Sequence, residues 1–279
     1  MISLCLAILS SSLVSIIMRL SGKRITNNVG MLAMNYIVCT LLAGITGGFA
    51  ELGQPVSDAT GVVLAMSVFN GAVYLAGFVL MQISIRRNGV VLSSVFQKLG
   101  LLVAMAVSVC IYKEVPTLLQ GIGFLLAICA IIVMNYRKSD ETAGDKAGLI
   151  WMLLACGMAN AMSQVFAELG RPELQGTFLM VTFGSALVMC LALMVSKKQR
   201  IGIWEFAFGA LIAVPNFFSS HFILGALETL SAVVVQPVYN VGSILVVTMA
   251  GLLAFRERLS RQQWIGVGVI VTALVLLNI

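Results

Sequence analysis

Long apolar runs separated by short polar connections recur from one end of the chain to the other. Each run is close in length to the stretch of about 20 apolar residues that a helix needs to cross the hydrocarbon of a bilayer. The pattern predicts helical membrane spans at residues 2–20, 31–49, 61–82, 90–111, 115–135, 147–168, 176–195, 203–226, 231–254 and 262–279. We therefore expect an all-α polytopic membrane protein with ten transmembrane helices.

The composition of the chain limits the classes of protein to which it can belong. Of the 279 residues, 60% are hydrophobic and only 10% are charged, whereas about a quarter are charged in soluble domains. Ten spans and their connections take up nearly the whole length, which leaves no room for a soluble catalytic domain. The sequence has a single histidine, no HExxH motif and no GxxxxGK[ST] motif, so it indicates neither a metal-dependent hydrolase nor an ATPase. We expect that the protein is not an enzyme and that it binds no cofactor.

Lys and Arg residues are unevenly divided between alternate connections. The connections after odd-numbered spans hold 14 of the 17: Arg19, Lys23, Arg24, Arg86, Arg87, Arg137, Lys138, Lys146, Lys197, Lys198, Arg200, Arg256, Arg258 and Arg261. The opposite side holds only Lys113 and Arg171. Because short loops rich in Lys and Arg stay in the cytoplasm, we expect both termini to face outward from the inner (plasma) membrane. Because the basic residues are confined to such turns, they indicate which side of the membrane is cytoplasmic. We expect no nucleic-acid partner.

Two segments of the chain align at an offset of 143 residues. YKEVPTLLQGIG at residues 112–123 matches FRERLSRQQWIG at residues 255–266, and Glu114 falls on Glu257. The two segments follow the fourth and the ninth predicted span. The alignment therefore predicts an internal repeat of five spans, in which each glutamate stabilises the start of the next helix through the helix dipole.

The repeat predicts the domain organisation. We expect a first five-helix repeat at residues 1–138, a cytoplasmic linker at 139–146 and a second five-helix repeat at 147–279, all within one membrane domain. Because five is odd, the second half enters the membrane with the opposite orientation. Such inverted repeats are typical of secondary transporters, whose substrate site lies near the midplane between the halves.

The glutamate-containing turn after spans four and nine, followed by a Gly-rich helix, resembles the EamA-type repeats of the drug/metabolite transporter superfamily. The resemblance extends over essentially the whole chain. It implies a ten-helix carrier of small metabolites, in bacteria often an exporter of amino acids or related compounds, with a central cavity reached alternately from either side. A number of relatives keep their termini in the cytoplasm, and the outward termini predicted from charge depart from that arrangement.

Hydrogen-bonding side chains inside hydrocarbon are costly unless they face a partner or a wet cavity. They are concentrated on spans one, three, four, six, eight and nine, which we expect to form a cavity wall. The fifth and tenth spans are nearly free of them and should be peripheral or a homodimer surface. The candidate substrate-binding residues are Asn70, Tyr74, Ser94, Lys98, Asn160, Gln164, Asn216, Gln236, Tyr239 and Asn240. Packing between helices is the alternative role for such residues.

Two ionisable side chains stand out. Lys98 lies within three residues of the middle of the predicted fourth span, where a lysine costs about 2.5–3.5 kcal/mol. This position suggests a cation that faces the cavity and attracts a carboxylate or phosphate; the alternative is an internally paired or snorkelling lysine. His221 is the candidate for proton coupling because histidine ordinarily titrates near neutral pH, and a packed, hydrogen-bonded histidine is the alternative.

These features predict a secondary transporter, and more specifically an exporter, of small organic metabolites such as amino acids, acting by alternating access around a central cavity. The expected partners are the small-molecule substrate, membrane lipid and a second copy that contacts the fifth and tenth spans. A proton-coupled exporter of cationic drugs, similar to the small multidrug resistance branch, is an alternative. That resemblance implies a membrane-embedded carboxylate in the first span, which has none here, and Lys98 would repel cations. A non-transporting scaffold or lipid-handling protein is the other alternative.

Overall fold

The computed structural model describes ten α-helices of nine residues or more, one for each predicted span. It describes residues 2–22, 24–52, 58–103, 106, 117–135, 146–169, 172–227, 232–256 and 259–277. The helices are α1 (Ile2–Ser21), α2 (Asn28–Ala43), α3 (Asp58–Asn88), α4 (Val90–Lys98), α5 (Leu118–Asn135), α6 (Lys146–Leu169), α7 (Gln175–Ser196), α8 (Ile203–Leu227), α9 (Ala232–Leu253) and α10 (Arg261–Leu277). The all-helical prediction is confirmed for these residues. The repeated glutamates, Glu114 and Glu257, and the linker up to residue 145 lie outside them.

Five of the helical segments are long and apolar enough to cross a membrane: Ile2–Ser21, Asn28–Glu51, Thr60–Asn88, Gln175–Ser196 and Ile203–Ala226. The described parts of the other five are shorter apolar helices. The protein is therefore a multi-pass membrane protein, and the count of ten crossings stays a prediction.

The start of α2 is held by its own sequence and by α8. Asn27 is the N-cap, and its Oδ1 accepts a hydrogen bond from the Gly30 amide at 3.0 Å, which satisfies one of the free amides of the first turn. Glu205, in the first turn of α8, accepts hydrogen bonds from the Thr26 and Asn27 amides at 3.0 and 3.1 Å. The carboxylate thereby fixes the beginning of α2 against the beginning of α8.

The connection between α3 and α4 is shorter than the sequence predicts. The predicted spans leave residues 83–89 as a loop, but α3 continues to Asn88 and only Gly89 separates it from α4. Gly89 has φ +85°, a backbone conformation that glycine adopts without the steric cost of a side chain. A single residue can therefore reverse the chain here.

Helix α4 is interrupted directly after the candidate residue Lys98. The prediction was an uninterrupted helix over 90–111, but the regular helix ends at Lys98, Leu99 and Gly100 form a turn, and helical structure resumes at residue 101. The backbone of Gly100 approaches α6 so closely that a methyl group on Gly157 would lie 2.5 Å from the Gly100 carbonyl oxygen. Lys98 thus sits at a helix break that contacts the other half of the chain.

Counterpart helices of the two halves make matching contacts. The α1–α8 contact corresponds to α6–α3, α2–α8 to α7–α3, and α1–α9 to α6–α4, while α2–α7, α4–α9 and α5–α10 each join a helix to its own counterpart. Helices α2 and α7 run antiparallel, since Glu51 after the end of α2 accepts a hydrogen bond from the Gly176 amide at the start of α7, and Gly184 lies opposite Thr40. An antiparallel counterpart is what an inverted repeat requires.

Basic connections gather at one end of the bundle. Arg19, at the end of α1, donates a hydrogen bond to the Ile85 carbonyl near the end of α3 at 3.1 Å. Arg24, after α1, lies over the ring of Trp204 at the start of α8, 4.6 Å from its centre. The connections after the first, third and seventh helices therefore lie together, as the alternation of charge predicts.

Helices α5 and α10 form a peripheral pair. They pack against each other, and their outer faces expose large apolar side chains such as Leu125 (63%) and Ile265 (62%). None of the described residues of either helix lines the central cavity. Their peripheral position agrees with the near absence of polar residues in the two spans.

Candidate functional site

A cavity of about 220 Å³ lies between the two halves. It is lined by α1, α3, α4, α6, α7, α8 and α9, six of which the polar pattern indicates. The candidate residues on its wall are Asn70, Tyr74, Lys98, Asn160, Asn216, Tyr239 and Asn240. Polar residues far apart in sequence therefore meet around one space.

Lys98 is the charged side chain on the described part of the cavity wall. Its Nζ donates a hydrogen bond to Ser11 Oγ at 3.1 Å and lies 3.8 Å from the centre of the Tyr239 ring. Lys98 as a residue is 8% exposed. A cation over an aromatic face gains about 0.5–2 kcal/mol from the ring quadrupole. The ammonium is thus held where α1 and α4 of the first half meet α9 of the second.

The phenol of Tyr239 is itself oriented by a neighbour. Its hydroxyl and Ser219 Oγ on α8 share a hydrogen bond of 3.2 Å. Ser11, Lys98, Tyr239 and Ser219 therefore form a continuous polar chain, which we call the lysine cluster. Ser11 and Ser219 were not among the candidates, because serines also pack membrane helices together.

A second polar cluster lies on the same face of α8, one turn away. The Tyr74 hydroxyl donates to Asn216 Oδ1 at 2.9 Å. Asn216 Nδ2 in turn donates to Asn35 Oδ1 at 3.4 Å and contacts Cys39 Sγ at 3.6 Å. These bonds join α3, α8 and α2, and they satisfy an amide that would be costly to bury alone.

Helix α7 contributes a wall that the polar pattern did not predict. Thr182 Oγ1 accepts a hydrogen bond from Asn70 Nδ2 at 3.4 Å, and both residues line the cavity. Phe183 also lines it and packs edge-on against Tyr74, with ring centres 5.6 Å apart. A threonine in an apolar helix commonly bonds to its own backbone, so the polar pattern of α7 did not indicate that this helix lines the cavity.

Four candidates are not placed on this wall. Ser94 is 3% exposed and does not line the cavity, and its hydroxyl has no hydrogen-bond partner within the described residues. His221 also does not line the cavity; its ring stacks on Phe217 with centres 5.7 Å apart. Gln164 and Gln236 lie in α6 and α9, but their side chains are outside the described part of the chain.

No three His, Cys, Asp or Glu side chains of the described ranges are grouped so that they could hold a metal ion. The cavity offers instead hydroxyl and amide groups, aromatic faces and one ammonium. This arrangement suits reversible binding of a small polar or anionic solute.

The comparisons with known proteins agree with this architecture. The EamA-like transporter family matches residues 1–136 and 146–279. An uncharacterized protein of Haemophilus influenzae is 24% identical over 281 aligned residues, covering 95% of this chain and 93% of that protein. A solved crystal structure with 11% identity superposes with a TM-score of 0.66 over 99% of this chain and 95% of the other, which shows a shared fold. The chain belongs to the EamA-like transporter family.

Proposed function

We propose that the protein is a secondary transporter that exports small organic metabolites bearing a carboxylate, such as amino acids, by alternating access of its two halves. Membership of a transporter family supports the transport role. The observation that carries the substrate class is the Lys98 ammonium, which lines the cavity and is held by Ser11 and Tyr239.

Electrostatics favours an anionic group at Lys98. At an effective dielectric constant of about 20, two unit charges 4 Å apart interact by about 4 kcal/mol. A carboxylate gains this attraction and a cation meets the same repulsion. No Asp or Glu of the described residues lines the cavity to offset it. The cationic-drug alternative is therefore disfavoured.

The size of the cavity also fits a small solute. Its volume of about 220 Å³ is more than tenfold the about 10–15 Å³ that one water molecule needs by the same kind of measure. The amides of Asn70, Asn160 and Asn240 provide further hydrogen-bonding groups on the wall. A metabolite of amino-acid size can be enclosed with several polar contacts.

The membrane arrangement follows from the distribution of charge. We place the end of the bundle that carries Arg19 and Arg24 in the cytoplasm, with both termini outside the inner membrane. The apolar outer faces of α5 and α10 are surrounded by lipid or by a second copy of the chain. Nothing in this scheme requires nucleic acid or a cofactor.

Uptake of a panel of ¹⁴C-labelled amino acids into proteoliposomes tests the proposal. Replacing a hydrogen-bonded charge costs about 1.5–3 kcal/mol, so Lys98→Ala should reduce uptake about 10- to 100-fold, while Lys98→Arg should retain part of it. Lys197→Ala, which removes an exposed lysine at the end of α7, is the matched control and should behave as the wild type. If Lys98→Ala carries the same amino acids at the wild-type rate, the assignment of the site is wrong.

A further inference from the structure

The Lys98 ammonium is buried among neutral groups. Its described partners are a serine hydroxyl and an aromatic face, and every other polar side chain on the described cavity wall is a hydroxyl, an amide or a thiol. Only 8% of the residue is exposed, so the ammonium is largely shielded from bulk water. Buried charges in proteins are ordinarily paired. Lys98 lacks such a pair within the described residues.

This lack matters most when the carrier changes sides without substrate. With a carboxylate bound, the ammonium is neutralised. An empty carrier would have to close its cavity around an unpaired cation, which is expensive in an apolar surrounding. A bound counter-anion would remove this cost, because the closed cavity would then contain a neutral pair.

We propose that a small inorganic anion occupies Lys98 when substrate is absent, and that the carrier exchanges its carboxylate-bearing substrate for this anion. The inference rests on the proposed function, which it extends by assigning the counter-ion class. Binding of the anion and of the substrate carboxylate is mutually exclusive, since both need the same ammonium.

The geometry around the ammonium suits such an anion. The Tyr239 ring covers one side of Nζ, its hydroxyl also contacts the ammonium, and Ser11 Oγ accepts one of the three N–H groups. These contacts leave one N–H group for an anion in the cavity. Gln97 and Asn240, next along α4 and α9 from Lys98 and Tyr239, also line the cavity and carry amide N–H₂ groups. Donors without a competing carboxylate are the chemistry that binds chloride-sized anions.

Chloride is the probe for binding. Rapid exchange of chloride between solution and a protein site broadens its ³⁵Cl NMR signal, and this can be measured on the purified full-length protein in detergent. The wild type should broaden the signal, and Lys98→Met should lose most of the protein-dependent broadening, because it removes the charged hydrogen-bond donor of the site. Lys98→Arg and the control Lys197→Ala should retain it. Broadening by a folded, monodisperse Lys98→Met equal to that of the wild type would overturn the proposal.

Exchange is tested in wild-type proteoliposomes, which avoids any effect of a variant on folding. The lumen contains chloride or a polymeric sulfonate too large for the cavity, each as its potassium salt at equal potassium concentration, and valinomycin with potassium clamps the membrane potential. Uptake of the amino acid most rapidly carried in the assay above should be about threefold or more faster against lumenal chloride, because the return step no longer moves an unpaired charge. Equal rates in chloride and in the polymeric sulfonate overturn the exchange. In that case Lys98-dependent uptake would still support the proposed transport function.

Discussion

Two pairs of helices, α4–α9 and α5–α10, differ sharply in their polarity. In each pair, a helix of the first half packs against its own counterpart in the second half. The first pair brings Lys98, Tyr239 and Asn240 to the cavity wall. The second shows apolar outer faces and contributes no described residue to the cavity. Since lipid and protein interior are both apolar, contact between helices requires no polar pattern. Of these two pairs, the one with more polar side chains in its spans is the one that reaches the cavity.

A second difference lies inside the central pair itself. The repeat offset of 143 residues pairs Lys98 with Val241 and Tyr239 with Phe96. Phe96 is fully buried, while Tyr239 lines the cavity. The backbone contacts are thus duplicated in the two halves but the charged site is present in only one. A symmetrical scaffold carries an asymmetrical binding surface.

The largest expected effect concerns the close contact between α4 and α6. Gly157→Ala would bring a methyl group 2.5 Å from the Gly100 carbonyl oxygen and 2.6 Å from Val103 Cβ. Because backbone cannot yield easily, we expect the free energy of unfolding to fall by about 1–3 kcal/mol. Thermal unfolding in detergent, followed by intrinsic tryptophan fluorescence, measures the change as a lower Tm.

The matched control lies in the peripheral pair. A methyl group added at Gly268 of α10 meets no atom within 4 Å, and alanine favours a helix by up to about 1 kcal/mol over glycine. Gly268→Ala should therefore leave Tm unchanged or raise it. A clear decrease would contradict the peripheral assignment and would indicate that a second copy packs on α10.

A smaller effect is expected from loss of the ring over Lys98. Tyr239→Leu removes a cation–π contact of about 0.5–2 kcal/mol, and we expect the KM for a carboxylate-bearing substrate to rise about three- to tenfold as the ammonium loses its position. Tyr239→Phe keeps the ring and loses only the hydroxyl, which bonds to Ser219 and also contacts Ser11 and Lys98, so its KM should stay closer to the wild-type value. Uptake as a function of amino-acid concentration separates the two variants, and an equal rise in both would exclude the ring as the positioning group.

The smallest effect tests α7. Thr182→Val removes the acceptor of the Asn70 side-chain amide, an interaction of about 0.5–1 kcal/mol, and should raise KM about two- to fivefold. Thr272→Val on α10 is the control, because its hydroxyl bonds only to the Gly268 carbonyl of the same helix among the contacts described. The same shift in KM for both threonines would mean that Thr182 acts through helix stability and not through the cavity.

The sequence was informative wherever one strong physical constraint decided the outcome. Apolar length decides where helices form in a bilayer, and the predicted starts of α6 to α10 lie within one residue of the observed ones. The predicted chain break at residues 83–89 was wrong because a single glycine with positive φ suffices. The break after Lys98 was missed since no proline marks it; the turn at Leu99 and Gly100 accompanies the close approach of α4 to α6.

The candidate site was predictable in part for a similar reason. Large amides and a lysine are costly to place in hydrocarbon, so such residues tend to face a cavity. Seven of the candidates, five of them amides or the lysine and two of them tyrosines, lie on the cavity wall. However, the energetic cost of burying a polar side chain does not reveal whether that side chain lines the cavity. Ser94 lies one turn before Lys98 on the same side of α4 but does not line the cavity, whereas Thr182, in a mostly apolar run, does. Depth along the helix axis separates Ser94 from Lys98, and the rotation of α7, which the sequence leaves open, turns Thr182 to the cavity.

By itself, the sequence determined that the protein is a membrane protein with two related halves, which residues are too polar for lipid, and which helices are free of such residues. These properties follow from hydrophobicity and periodicity, which act locally. Only the tertiary structure decided that α7 joins the wall, that Lys98 ends a helix, and that Ser11 and Tyr239 hold its ammonium. Those relations depend on how helices rotate and meet across the two halves, and the energy that selects them arises from contacts between residues far apart in the chain.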